Sequence, residues 1–230
     1  MVTHAEPEII LYDLACIKKI CFSPAVWRIR LMLNYKKIPY RTIFLEFPDI
    51  EPTLTKLGLD PGTAPSGARN KFTLPTIHHL PTNIHLMDSH PIAHFLESTY
   101  PDPPIPLTSP LGTEIELQAR AVIGKVFRTC ILPREIHILS PRAQEYFRRT
   151  READLGGKRL EELLGEGEEE RSWEAAGKGM RGVGELLRTN RAEGPFAARV
   201  VDEGVFGRVV VLPGFRDVYE ACLPYMERKD

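Results

Sequence analysis

The feature that most constrains how this chain folds is a serine-proline step between an apolar run and an amphipathic segment. Ile9-Ile10-Leu11-Tyr12 reads as a buried β-strand, and Val26, Trp27, Ile29, Leu31 and Leu33 supply a helical apolar face. Ser23-Pro24 stands where that helix has to begin. Proline belongs in a first turn, where its missing N–H would have been unpaired anyway, and serine before it is a preferred cap. The step sets a hydroxyl at the positive end of a helix dipole, a place that attracts anions, a thiolate included. Taken alone, Ser23 also fits an ordinary N-cap, and Cys21 fits either a reactive thiol or a small buried apolar side chain. Trp27 and Arg28 could stack on or pair with a substrate, or serve as core and ion-pair partner.

After a turn at Lys36-Lys37-Ile38-Pro39, residues 40–45 read as a second strand, which makes a β-α-β unit with parallel pairing. Residues 47–52 break the pattern, 53–59 predict a short helix, and 60–70, rich in Pro, Gly, Ala and Ser, a flexible loop. Residues 72–77 form a third apolar stretch with Pro75 inside it, which marks an edge, a strand start or a special turn, with a cis Leu74-Pro75 bond as one form. Thr82-Asn83 turns the chain into residues 84–87, so the third and fourth strands form a hairpin. Asp88-Ser89 then caps a helix over 91–99 carrying Ile92, Ala93, Phe95 and Leu96.

This order, with Ser-Pro opening the first helix, Leu-Pro opening the third strand and Asp-Ser opening the last helix, resembles the thioredoxin-like half of glutathione transferases over residues 8–101. The resemblance implies that Thr73, Leu74, Pro75, Asp88 and Ser89 bind glutathione. Leu74 would pair its backbone with the cysteinyl part beside a cis Pro75, and Asp88 and Ser89 would hold the γ-glutamyl end. Ser23 falls where the family places the side chain that faces the sulfur. A free thiol has a pKa of about 8.5, and a hydroxyl donor at a helix start lowers it without a base. A serine there cannot form the mixed disulfide that a cysteine would. The implied chemistry is attack of glutathione on a bulky hydrophobic electrophile, or reversible addition that lets a double bond rotate from trans to cis.

Within the family, Ser23-Pro24-x-x-Trp27-Arg28-x-Arg30, Tyr40, and residues 47–52 and 140–152 are most similar to the fungal Ure2p-like-A (FuA) and etherase-related group. That likeness implies secondary metabolism or detoxification, aromatic ethers or natural-product-like ligands, and a homodimer. A non-catalytic glutathione or ligand carrier is the alternative. An interaction module of the elongation-factor type fits less well, because all the glutathione elements are present.

The expected division is residues 1–101, a proline-rich linker over 102–111, and an all-helical second half over 112–230 that forms the hydrophobic substrate site. Helical spacing marks 114–126, 145–155, 160–164, 173–187 and 214–226, and 166–171 is a solvated charge run. The fold class is therefore α/β thioredoxin-like followed by all-α. One departure from the family is that Gly194-Pro195-Phe196 runs into residues 197–203 without a Ser/Thr-x-x-Asp capping box, so a central helix looks missing.

Net charge is -1, which gives no field for nucleic acid, and no polybasic run suggests a membrane. No apolar run approaches spanning length, and residues 1–7 carry no leader pattern, so the expectation is a cytoplasmic protein. Four cysteines, none in a C-x-x-C pair, fit reduced thiols. His78, His79, His85, His90 and His94 cluster in sequence, but no metalloprotease pattern accompanies them, and the reading assigns no metal.

Overall fold

The computed structural model describes residues 6–60 and 72–189. These fall into two compact units that divide between Leu107 and Thr108.

The first unit holds β1 (Ile9–Leu14), α1 (Pro24–Tyr35), β2 (Tyr40–Leu45), α2 (Ile50–Lys56), β3 (Thr76–His79), β4 (Ile84–Met87) and α3 (Ser89–Thr99). The strands form one sheet in the order β2-β1-β3-β4. β1 runs parallel to β2, with Ile9 opposite Tyr40, and antiparallel to β3, with Ile9 opposite His79. β3 and β4 form the expected hairpin, with Thr76 opposite Met87. An interior strand is covered on both faces, which is why residues 9–12 of β1 are continuously apolar rather than alternating. Its Ile9 and Leu11 pack with Val26, Ile29 and Leu33 of α1, Ile77 of β3, and Ile92 and Leu96 of α3.

Two expectations shift here. The short helix after β2 starts earlier than 53–59: a 3-10 turn over Phe47–Asp49 leads directly into α2. Pro48 and Pro52 each lie in a first turn, where no intrahelical partner is needed, so they open these helices instead of breaking them. The third strand begins at Thr76, after Pro75, and so escapes the donor that proline lacks.

Lys36, the C-cap of α1, is buried and ties α1 to the end of α3. Its Nζ donates to the Tyr100 carbonyl and, at 2.8 Å, to the Pro103 carbonyl, and meets Glu97 Oε2 at 2.8 Å. Nearby, the Tyr100 hydroxyl donates to Glu8 Oε2 at 2.6 Å and lies 2.9 Å from His79 Nε2. Because that hydroxyl has spent its proton on Glu8, His79 donates through Nε2, and its Nδ1 accepts from the Thr82 hydroxyl at 2.6 Å.

The second unit contains α4 (Pro110–Val126), a π-helical turn (Phe127–Ile131), α5 (Leu132–Glu135), α6 (Pro141–Asp154), a 3-10 segment (Leu160–Leu164) and α7 (Glu168–Thr189). Ser109 and Ser140 cap α4 and α6, accepting from the Gly112 N–H at 3.3 Å and the Ala143 N–H at 3.2 Å. The charge run 166–171 opens α7, where three glutamates sit in the first turn and suit the positive helix end. α4 and α7 approach so closely that a Cβ on Gly179 would lie 2.4 Å from Val122 Cγ2. The predicted helix over 214–226 and the segment 194–203 lie outside the described residues.

Candidate functional site

Ser23, Ser109 and Ser140 precede three helices that all open on proline, with extended backbone at each serine. Ser109 and Ser140 spend their hydroxyls on their own helices; Ser23 makes no such bond, although it is only 7% exposed. Its carbonyl accepts the first helical bond from Trp27 N at 3.0 Å. The expectation that Ser23 caps α1 through its side chain is therefore corrected: it occupies the cap position without acting as a cap. Among the described residues, the N–H groups of Ala25 and Val26 in that first turn have no acceptor either. The start of α1 thus presents two backbone donors and one hydroxyl at the positive end of a 12-residue helix.

The Leu74-Pro75 bond is cis. Thr73 is held on both sides, its N–H on Met87 Sδ at 3.2 Å and its carbonyl accepting from Thr76 Oγ1 at 3.0 Å. Leu74 differs: among the described residues nothing hydrogen-bonds its N–H or C=O. An extended peptide can pair with such an open segment as one strand pairs with another. Asp88 donates its N–H to the Pro75 carbonyl at 3.1 Å, which joins the start of α3 to the same turn. It does so at φ 78, in the left-handed region where aspartate is one of the few non-glycine residues found. Its carboxylate makes no cap bond to α3, which corrects the reading of Asp88-Ser89 as a side-chain cap. Half-buried and next to Ser89, it is placed to accept from an ammonium group.

Sequence reasoning missed a buried pair behind α1. Arg30 is fully buried and meets Asp13 Oδ2 at 2.9 Å, while its Nη1 donates to the Tyr40 hydroxyl at 3.3 Å. Its guanidinium also lies 5.8 Å from the Trp27 ring and 5.5 Å from the Tyr40 ring. Burial pushes the Asp13 carboxyl up, and the bond and charge of Arg30 pull it back, joined by the Leu14 N–H and the Cys21 thiol. The available signal was Arg30 on the same helical face as Val26 and Ile29; its partner, 17 positions away, was not visible from spacing.

The remaining candidates separate. Trp27 is 2% exposed, and its indole N–H donates to the Cys21 carbonyl at 2.8 Å, so it belongs to the core, not to a substrate pocket. Arg28 is exposed. Cys21 is half-buried, and its carbonyl accepts from Trp27. The histidines disperse: His78 stacks on His85 at 4.0 Å, His90 faces His94 at 6.4 Å, and His79 is engaged with Tyr100. Among the described residues no three His, Cys, Asp or Glu side chains gather as a metal set, and no helix is long and apolar enough to cross a membrane.

Residues 22–99 match the family model of the glutathione S-transferase N-terminal domain, and residues 116–201 that of the glutathione S-transferase C-terminal domain. The glutathione S-transferase-like protein ustS of Aspergillus flavus is 40% identical over 161 residues, which covers 64% of this chain and 55% of that protein. The chain thus spans little more than half the length of this curated relative. Among solved structures, glutathione transferase GSTFuA2 from Phanerochaete chrysosporium has a TM-score of 0.76 at 26% identity, covering 98% of this chain and all of that one. The glutathione S-transferase CsGST63524 of Ceriporiopsis subvermispora, solved in complex with glutathione, has a TM-score of 0.69 at 29% identity, covering 95% and 85%.

Proposed function

The chain belongs to the glutathione S-transferase family, and from that premise we propose that it binds glutathione in its first unit and activates the thiol at Ser23. Bound glutathione supplies the nucleophile. The chain's own residues do the rest: Leu74 offers an open N–H and C=O for backbone pairing, Asp88 a carboxylate and Ser89 a hydroxyl for the γ-glutamyl end. Thr73, whose backbone is already engaged, contributes through its hydroxyl alone.

The observation that carries this reading is the Ser23 hydroxyl, buried at a helix start and left uncommitted where two sister serines cap. Donation from that hydroxyl and from the first-turn N–H groups favours a thiolate over a thiol. Lowering a thiol pKa from about 8.5 by one unit raises the thiolate share at pH 7 from about 3% to about a quarter. Serine also rules out a mixed-disulfide route through this position, so the reading is carbon-centred. The substrate is a bulky hydrophobic electrophile, taken either to a stable conjugate or through reversible addition and rotation of a conjugated double bond. A role in fungal secondary metabolism or detoxification, a cytoplasmic location and a homodimer complete the proposal. They rest on the family likeness. The carrier alternative depended on residues 194–203, which lie outside the described residues.

Calorimetric titration with glutathione, together with the ultraviolet absorbance of the bound thiolate against pH, tests the proposal. Ser23→Ala should leave the affinity within about threefold and raise the bound thiol pKa by about one unit, the worth of one hydrogen bond. Unchanged ionisation in Ser23→Ala would remove serine from the mechanism, and no glutathione uptake would remove the whole reading. Turnover of an aryl halide against turnover of a cis-trans conjugated enone separates conjugation from isomerisation. A protein that binds glutathione, lowers its thiol pKa and turns over neither would be a carrier.

A further inference from the structure

The hydroxyl of Ser23 does not fix its own position, because it makes no bond to α1. Its place is set by the backbone of the strap between β1 and α1, whose tip at Ile17, Lys18, Lys19 and Ile20 is exposed. We propose that Trp27, seated on the Asp13–Arg30 pair, is the positioning residue that holds this strap and thereby aims Ser23. The inference rests on the reading of Ser23 given above.

Two bonds from Trp27 hold the residues on either side of Phe22. The backbone N–H of Trp27 donates to the Ser23 carbonyl at 3.0 Å, and its indole N–H donates to the Cys21 carbonyl at 2.8 Å. One side chain on the first turn of α1 therefore pins the chain on both sides of Phe22. The Cys21 thiol also neighbours the Asp13 carboxylate at the end of β1 and favours its charged form. Phe22 itself is buried, so the strap is anchored by packing as well.

Behind these contacts the Trp27 ring is backed by the Arg30 guanidinium, which Asp13 and Tyr40 hold. The same Asp13 thus receives the strap through Cys21 and the helix through Arg30. A carboxylate shared in this way couples the register of α1 to that of the strap. Nothing in the set reaches substrate. Its effect passes through the backbone of residues 21–23 to one hydroxyl, and a displacement of a fraction of an ångström there weakens a hydrogen bond steeply.

Trp27→Phe keeps the ring and deletes the indole donor. Cys21→Ala deletes the Asp13 contact from the half-exposed side, and decides the matter if Trp27→Phe does not fold. In the ligand-free protein, both should speed exchange of the residue 27 amide, which donates to the Ser23 carbonyl, by about tenfold, the factor that one lost hydrogen bond supplies. With glutathione bound, both should raise the thiol pKa by at least half a unit while the affinity stays within about threefold. Ile92→Val, on the buried face of α3, serves as the structural control. It lowers the melting temperature but leaves both readouts at wild-type values.

Wild-type exchange and wild-type thiol ionisation in a folded Trp27→Phe or Cys21→Ala protein would overturn the proposal, as would equal shifts in Ile92→Val. Faster exchange without any shift in thiol pKa would likewise overturn it, by showing a strap that is loosened but does not aim the hydroxyl. Failure of the Ser23 reading looks different: the wild-type protein would then not lower the thiol pKa at all.

Discussion

Two glycines of α7 carry opposite expectations from one chemical change. Gly177 and Gly179 both lie inside the helix, and alanine gains about 1 kcal/mol over glycine in a helix interior. At Gly177 a new Cβ meets nothing within 4 Å, so Gly177→Ala should realise that gain. At Gly179 the same Cβ would stand 2.4 Å from Val122 Cγ2 and 3.1 Å from Cγ1. Val122 is β-branched on α4 and has one strongly preferred rotamer there, so it cannot swing aside. Relief requires the two helices to part, and overpacking of this kind costs about 1–3 kcal/mol. Gly179→Ala should therefore be less stable than Gly177→Ala by about that amount. In a chain of this length the difference is about 2–4 °C of melting temperature for each kcal/mol. Urea unfolding of both single variants, of Val122→Ala and of the Val122→Ala/Gly179→Ala double variant supplies the cycle. The double variant should recover at least about 1 kcal/mol of the clash through the coupling term. Equal stability of the two alanine variants, or a coupling near zero, would refute the close approach of α4 and α7.

Three further perturbations follow from the buried polar groups. Burial pushes the His79 imidazole below its ordinary value, so stability that it contributes is complete above about pH 6.5 and drains as pH falls through the folded value. Burial raises the Glu135 carboxyl to about 7, with Arg151 opposing, so its contribution is complete below the unfolded carboxylate range and drains as pH rises toward 7. In denaturation series across pH, His79→Gln should flatten the acid limb and Glu135→Gln the neutral limb, each by at most one proton; slopes identical to wild type would refute the assignments. Lys36→Met should cost about 2–4 kcal/mol, read as a lower urea midpoint, because it strands the acceptors at Tyr100, Pro103 and Glu97.

Local chemistry made β2 and β4 legible to the residue, since Lys36–Pro39 chemistry bounds one and Thr82-Asn83 the other. The start of α1 was equally plain from Ser23-Pro24. α2 was misplaced because Pro48 and Pro52 read as breakers when taken singly, while their positions in a first turn emerge only once the helices exist. The π-helical turn and α5 went unassigned because Pro133 interrupts the helical spacing of Phe127, Cys130 and Ile131, although it stands in the first turn of α5. At the candidate site, the three Ser-Pro starts are alike in sequence and in backbone, so neither tells which hydroxyl stays uncommitted. The Asp13–Arg30 pair required two elements to be brought together by the sheet, which no single window contains.

The strand order also governs the manufacture of the protein. Of the four strands of this sheet, β1, destined for the middle, is made before its neighbours, and the second of these, β3, is not made until Thr76–His79 emerges. A nascent chain that ends before this point carries an apolar strand with one bare flank, open to any extended peptide close by. Truncations between α2 and β3 should therefore be prone to clump, and the window in which a chaperone can help closes with the arrival of a four-residue strand.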